Sequence, residues 1–310
     1  MIFEFKKIIA IFEELRPAQW IKNLAIFSAL ILNGQLFDQQ LFTKTLFAFI
    51  TFCLLSSSSY IINDIIDVKK DRLHPTKKDR PIARGDIPEY LAAFIAIILL
   101  FAGLGIAIFT NYSFFVISLI FILLQYTYSL FLKKKAIIDI TGIALFFIIR
   151  AYAGEIVTGY HLPIWIMLTV IFLSLFIASG KRRSELLNTG TKTRSALAGY
   201  GKSLLNFYTT MFAVCTLLCY AMFTFFEESV TFNGSGLMHR FLLDNFPNAL
   251  NRKWYMITLL PVIFGMMRYG QIIFEMQEGE RPEKIIATDI PLILSVLTWG
   301  LMIVGIIYAI

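Results

Sequence analysis

The chain has 310 residues, of which 57% are hydrophobic and 16% charged, and its mean hydropathy is +0.71. Those values exclude a soluble globular domain and indicate a polytopic membrane protein. The net charge of +7 gathers in a few loops. It therefore speaks for membrane orientation and anionic partners, and no nucleic-acid-binding pattern accompanies it.

In chain order, residues 1–20 are charged and amphipathic, with no small-residue cleavage site, so no cleavable signal peptide is expected. Nine apolar stretches then follow, each long enough to cross a bilayer: 22–39, 42–62, 89–110, 113–132, 138–158, 163–180, 204–226, 253–271 and 289–309. The expectation is an all-α polytopic membrane protein with nine transmembrane helices, forming a single domain over 1–310. Lys and Arg crowd the segments 4–22, 63–88, 133–135 and 181–202, while 33–43, 110–113 and 154–163 hold almost none. This alternation places the N-terminus and the basic loops in the cytoplasm. The segment 227–252 carries Arg240 and Arg252 and fits that rule least well. Ser56–Ser59 reads as a small-residue face for close helix packing. Cys53, Cys215 and Cys219 lie in apolar runs and read as small buried residues.

The chemistry concentrates in NDIIDVKKDRLHPTKKDRPIARG, residues 63–85. On a helix, Asp64, Asp67 and Asp71 fall within an arc of about 60°, with Asn63 beside Asp67. Three carboxylates on one face repel each other, and a hard divalent cation such as Mg²⁺ relieves that. The plainer reading is a solvated, charged helix end at a membrane surface. The face leads directly into Arg72, His74, Lys77, Lys78, Arg80 and Arg84. Acids for a metal followed by cations for phosphates suit a metal-bound phosphorylated substrate.

A second polar stretch, KRRSELLNTGTKTRSALAGYGKSL at 181–204, holds Lys181, Arg182, Arg183, Lys192, Arg194 and Lys202 against one acid, Glu185. It reads either as a positive-inside loop or as a docking surface for phosphate. Arg150 lies mid-span and returns to the helix face of Asp139 within about 20°. It is either a functional cation or the structural partner of an acid. Tyr128, with Gln125 and Tyr126, offers polar atoms at the end of the fourth span, or an interface anchor. Arg268, Tyr269 and Asp289 flank the last basic-side loop.

The NxxxDxxxD pattern after the second span of nine resembles the UbiA-type intramembrane prenyltransferases. That resemblance implies nine helices bundled around a central cavity, with the first Asp-rich motif holding Mg²⁺ and a diphosphate. Most members carry a second, DxxxD-type motif after the sixth span, and here 181–204 contains no aspartate. One branch shares that departure. RPxQWxKN at Arg16–Asn23, NDxxDxxxDRxHPTKxxRPIAxG at Asn63–Gly85 and GKRxxEL at Gly180–Leu186 are similar to the decaprenyl-phosphate phosphoribosyltransferases. So are RxxLxxY at Arg194–Tyr200, the Arg268–Tyr269 pair, and PE…D at Pro282–Asp289.

The resemblance implies transfer of 5-phosphoribose from phosphoribosyl diphosphate to a polyprenyl phosphate of decaprenyl type, releasing diphosphate. Mg²⁺ would be held by Asp64, Asp67 and Asp71 with Asn63. Lys181, Arg182 and Lys22 would clamp phosphate, with Glu185 positioning a cation or a ribose hydroxyl. Arg72, Lys77 and Arg80 are candidates for donor phosphates, and Tyr128, Arg150 and Arg194 for further substrate contacts. The implied setting is the bacterial cytoplasmic (inner) membrane, with the site facing the cytoplasm. The expected partners are phosphoribosyl diphosphate, the lipid phosphate and membrane lipids, with no nucleic acid, and the sequence leaves room for a homo-oligomer. Two other classes compete. An aromatic prenyltransferase of the same fold would use a second Asp-rich motif. A transporter would show internal repeats and broken helices in both halves, and neither is found in the sequence.

Overall fold

The computed structural model describes residues 2–73, 77–190, 195–227 and 253–308. Among the described residues every regular element is helical. They include α1 (Ile2–Glu14), a 3₁₀ stretch (Pro17–Phe27), α2 (Ser28–Leu32), α3 (Gln39–Asp71), α4 (Pro81–Arg84), α5 (Glu89–Thr110), α6 (Tyr112–Leu130), α7 (Ile138–Thr158), α8 (Ile164–Thr189), α9 (Lys202–Phe226), α10 (Leu259–Gln271), α11 (Pro282–Thr288) and α12 (Ile290–Tyr308). Eight helical stretches among the described residues are long and apolar enough to cross a membrane. They correspond to eight of the nine expected spans, and the chain is an integral membrane protein.

The remaining span, 22–39, takes a different form. It runs as the 3₁₀ stretch Pro17–Phe27 and then the short α2. Two contacts account for this. The Ile26 carbonyl lies so close to Gly154 that a Cβ there would collide with it. The Asn23 side chain is drawn inward, accepting from Arg150 Nε at 2.6 Å and donating to Cys53 Sγ at 3.3 Å. The narrower 3₁₀ winding lets this backbone pass close to its neighbours.

The chain forms two compact units. The first comprises Met1–Ser28, Asp38–Leu132 and Ile149–Gly159. Its axis is α3, whose 33 residues span about 50 Å, well beyond an apolar core of about 30 Å. Asp38 caps the helix, its Oδ1 accepting from Leu41 N at 2.8 Å. α3 packs on α5, and the serine run lets them approach: Ser58 Oγ donates to the Ala96 carbonyl at 2.8 Å. Ser57 Oγ accepts from Trp20 Nε1 at 3.1 Å and donates to the Leu15 carbonyl at 2.8 Å, anchoring the entry segment. An apolar cluster of Ala10, Ile61, Val68, Ile82, Ile87, Ala92 and Ala96 seats α1 and α4 on the polar end of α3.

The second unit comprises Ala29–Phe37, Lys133–Ile148 and Tyr160–Ile310. α8 and α9 pack along one another, as do α10 and α12. Phe176, Tyr269, Ile272, Ile273, Ile285 and Leu292 form one buried cluster, and Ile140, Ala178, Leu197, Tyr200 and Leu205 another. The second cluster supports the end of α8 that carries residues 180–186.

Candidate active site

The first unit holds the expected acidic face. Asp64 and Asp71 are 2% and 4% exposed, because Ile61, Asp64, Val68 and Asp71 share the α3 face covered by α1 and α4. Arginines from two other segments neutralise them. Arg80 Nη1 lies 2.9 Å from Asp64 Oδ1 and 2.5 Å from Asp71 Oδ2. Arg16 pairs with Asp64 Oδ2, and its guanidinium lies 5.3 Å from the Tyr60 ring centre. Arg16 reaches that position from a left-handed backbone, φ 55. A non-glycine residue adopts it at a cost of order 1–3 kcal/mol, a strain that clusters at functional sites. Asn63 Nδ2 lies 3.5 Å from Asp64 Oδ1, and Asp67 is half-buried.

A further acid stands at this face. Glu14, the last residue of α1, is 3% exposed; no conventional donor reaches its oxygens, and its carboxyl meets that of Asp64. Burial, and then the charge of Asp64 beside it, push its carboxyl up to about 8.

In the second unit, residues 180–185 diverge from nearly two turns of α8. Gly180 leaves room for the Ile273 side chain, which a Cβ would strike. Arg182 is 1% exposed. Its Nε donates to Asp139 Oδ2 at 2.6 Å, and Nη1 pairs with Glu185 Oε2. Tyr200 closes the group, donating to Asp139 Oδ1 at 2.6 Å and accepting from Ile137 N at 2.5 Å. Burial, then the bond to Asp139, raises the Tyr200 phenol above its ordinary value. Arg183 donates to Asn206 Oδ1 at 2.6 Å and the Ile273 carbonyl at 2.7 Å, and its guanidinium lies 4.4 Å from the Phe274 ring centre. Ser184 Oγ accepts from Gly279 N at 3.0 Å. Lys181 is half-buried and Glu185 lies at the edge of the network.

A family model for the UbiA prenyltransferase family matches residues 24–286. The chain belongs to the UbiA prenyltransferase family. Among similar curated proteins is a decaprenyl-phosphate phosphoribosyltransferase of Mycolicibacterium smegmatis, 36% identical over 92% of this chain and 88% of that protein. The protein of the same name from Corynebacterium glutamicum is 32% identical over 95% of this chain and 85% of its own. A UbiA homolog from Archaeoglobus fulgidus, solved bound to GPP and Mg²⁺, superposes with a TM-score of 0.71 at 19% identity. That match covers 96% of this chain and 99% of the archaeal one, and it shows the shared UbiA fold.

In this UbiA-family chain the remaining expected residues separate clearly. Arg150 is 2% exposed and belongs to the first unit, where it donates to Asn23, lies 3.5 Å from Ser56 Oγ and sits 4.9 Å from the Phe121 ring centre. Asp139, on the same helix face in sequence, instead serves Arg182. Arg72 Nε donates to the Ala83 carbonyl at 3.2 Å, tying the end of α3 to α4. Lys77 is half-buried close to Asp71, and Lys22 pairs with Gln19. Tyr128 lies on α6. Arg194 and His74 fall outside the described residues. Arg268 binds Asp289 at 2.7 Å, which holds that carboxyl below its usual range, and Asp289 also caps α12 through Leu292 N at 3.0 Å.

Arg16, Glu14 and Tyr200 are not among the residues that the sequence singles out as site candidates. Arg16 and Tyr200 do lie inside motifs quoted above. Glu14 carries no pattern of its own.

Proposed function

We propose that this protein transfers the 5-phosphoribosyl group of phosphoribosyl diphosphate to the phosphate of a polyprenyl phosphate of decaprenyl type. The acceptor oxygen forms a bond to C1 of the ribose, the C1–O bond to diphosphate breaks, and diphosphate leaves. The acceptor is already anionic, so no general base is required. The proposed setting is the bacterial cytoplasmic membrane, with the α3 carboxylate end facing the cytoplasm.

The observation that carries this reading is the unequal distribution of carboxylates. The first unit gathers Asp64, Asp67, Asp71 and Glu14 near one helix end, which suits a cation–diphosphate complex. In the second unit, Asp139 and Glu185 are both engaged by Arg182, and the 181–204 segment has no aspartate. A second metal-bound diphosphate therefore lacks ligands there, while a lipid monophosphate can be held by cations. Full-length similarity to proteins named decaprenyl-phosphate phosphoribosyltransferase supports the same reading.

The donor set of the first unit fits Mg²⁺, which takes oxygen ligands and keeps only a few carboxylates beside phosphates. Among the described residues no group of three acids is gathered closely enough to hold an ion by itself, so phosphate oxygens would have to complete the shell. Asp64, Asp67 and Asp71, with Asn63, would hold the ion. When bound, Mg²⁺ neutralises charge on the departing diphosphate. Arg16 and Arg80, now bound to Asp64 and Asp71, would exchange those partners for donor phosphate oxygens in charge-assisted bonds. Lys77 and Arg72 would supply further positive charge along the same helix end. Lys181 is the proposed clamp for the lipid phosphate, held in place by the network that buries Arg182.

The test is to incubate purified protein with Mg²⁺, phosphoribosyl diphosphate and polyprenyl phosphates of several lengths, and to read lipid products by mass. The expected product is heavier by one phosphoribosyl group. A protein that ignores phosphoribosyl diphosphate and attaches a polyprenyl diphosphate to an aromatic acid would overturn the proposal. Orientation is read within the first unit by single-cysteine labelling in a background lacking the native cysteines. Position 78 should label from the cytoplasm and position 112 from the opposite side.

A further inference from the structure

We propose that Glu14 is a fourth acidic member of the cation site, supplying a carboxylate to the ion that Asp64 faces. The inference rests on reading the α3 acidic face as a cation site, and extends it to a residue outside the aspartate motif.

The argument begins with helix spacing. Ala10 and Glu14 are four apart on α1 and point to the same side. Ala10 packs in the cluster with Ile61 and Val68, which flank Asp64 on the same face of α3. One turn further along, Glu14 therefore meets Asp64, and the two carboxyls are close enough to interact. Glu14 is 3% exposed, no amide, hydroxyl or cationic donor reaches its oxygens, and the Asp64 carboxyl is the polar group it meets.

An ionised carboxylate in that position costs several kcal/mol unless something compensates it. The nearby arginines do not give it a hydrogen bond: Arg16 pairs with Asp64, and Arg80 with Asp64 and Asp71. Without a cation the two carboxyls share a proton, and a cation bound between them would take that proton's place. A purely structural acid would have been matched with a donor, as Asp139 is matched with Arg182 and Tyr200. Glu14 is left open toward the one place where a hard cation would be coordinated. Mg²⁺ binds through one or two carboxylates plus phosphate oxygens and water, so a Glu14–Asp64 pair is a sufficient protein contribution.

The test uses Mn²⁺ as a spectroscopic stand-in, titrated into the purified full-length protein with inorganic diphosphate and followed by electron paramagnetic resonance. Wild type should bind Mn²⁺, and Asp64→Asn should lose it. Glu14→Gln should weaken Mn²⁺ binding by about ten- to hundred-fold, and Glu14→Asp should recover part of that loss. Without metal, Glu14→Gln should melt no lower than wild type, because the amide takes the place of the protonated carboxyl and can donate to Asp64. Wild-type affinity in Glu14→Gln, with Asp64→Asn still defective, overturns the role of Glu14 alone. A Glu14→Gln protein that misfolds or melts well below wild type also overturns it, since that marks a structural carboxylate. A wild type that binds no Mn²⁺ in the presence of diphosphate overturns the cation reading beneath it.

Discussion

The acidic face of the first unit and the Arg182 network of the second are built from the same chemistry and are held in opposite ways. In the first, the Arg16 and Arg80 side chains are 23% and 26% exposed, reach in from flanking segments, and give Glu14 no hydrogen bond. In the second, Arg182 and Asp139 are 2% and 0% exposed, and a tyrosine and a second acid complete the group. Arginines that stay partly solvated and come from separate segments can leave their acids for another anion more readily, whereas a pair buried on both sides and satisfied is costly to disturb. The first arrangement therefore suits ligand exchange, and the second suits a strut that fixes the end of α8.

The contrast is sharpest at the carboxylates. Asp67→Asn in the first unit should lower turnover by roughly a thousand-fold, because electrostatic stabilisation of the departing group is lost. The folded fraction in detergent should match wild type, since Asp67 is half-buried. EDTA should silence wild type in the same assay, and full activity in excess EDTA would break the first half of the comparison.

Arg182→Met should act on stability before activity. It leaves Asp139 buried without its arginine, a change that typically costs about 3–5 kcal/mol. Thermal melting in detergent should fall sharply, and the double variant Arg182→Met/Asp139→Asn should recover much of the loss. An Arg182→Met protein that melts like wild type but binds lipid phosphate poorly would make this network a ligand site instead of a strut.

Next come the two proposed phosphate contacts. Arg80→Gln should lower kcat/KM about ten- to hundred-fold when phosphoribosyl diphosphate is varied at saturating lipid, the loss of a charge-assisted bond worth about 1.5–3 kcal/mol. Lys181→Ala should show a loss toward the low end of that range when the lipid phosphate is varied at saturating donor. Interchanged patterns would exchange the roles of the two units while keeping the reaction.

The smallest effect is expected at Arg268–Asp289, a pair near solvent. The Asp289 carboxyl is held below its usual range, so its contribution is present above the unfolded value of about 3.9 and fades as pH falls through the folded value. Asp289→Asn should melt slightly lower than wild type at pH 7, and melting curves should converge as the pH is lowered through that range. A gap that persists in acid would point to lost helix capping as the cause.

Periodicity alone determined much of this protein. Long apolar runs separated by basic loops specify membrane helices, because unpaired backbone groups are not tolerated in lipid. A 3.6-residue repeat likewise places Asp64, Asp67 and Asp71 on one face wherever α3 goes. The serine run was legible too, as small residues where helices must approach. Tertiary structure decided the partners. The run Lys181–Arg183 reads from sequence as uniformly cationic, yet Arg182 is buried against Asp139, 43 residues away, and Arg183 turns to Asn206. Nothing local marks Glu14, whose environment comes from α1 lying across α3. The first span, apolar enough for an ordinary helix, is wound as 3₁₀ because Gly154 and Arg150 draw its backbone close. Repeat spacing is a property of the chain, but the charge that meets another charge is chosen by how helices pack.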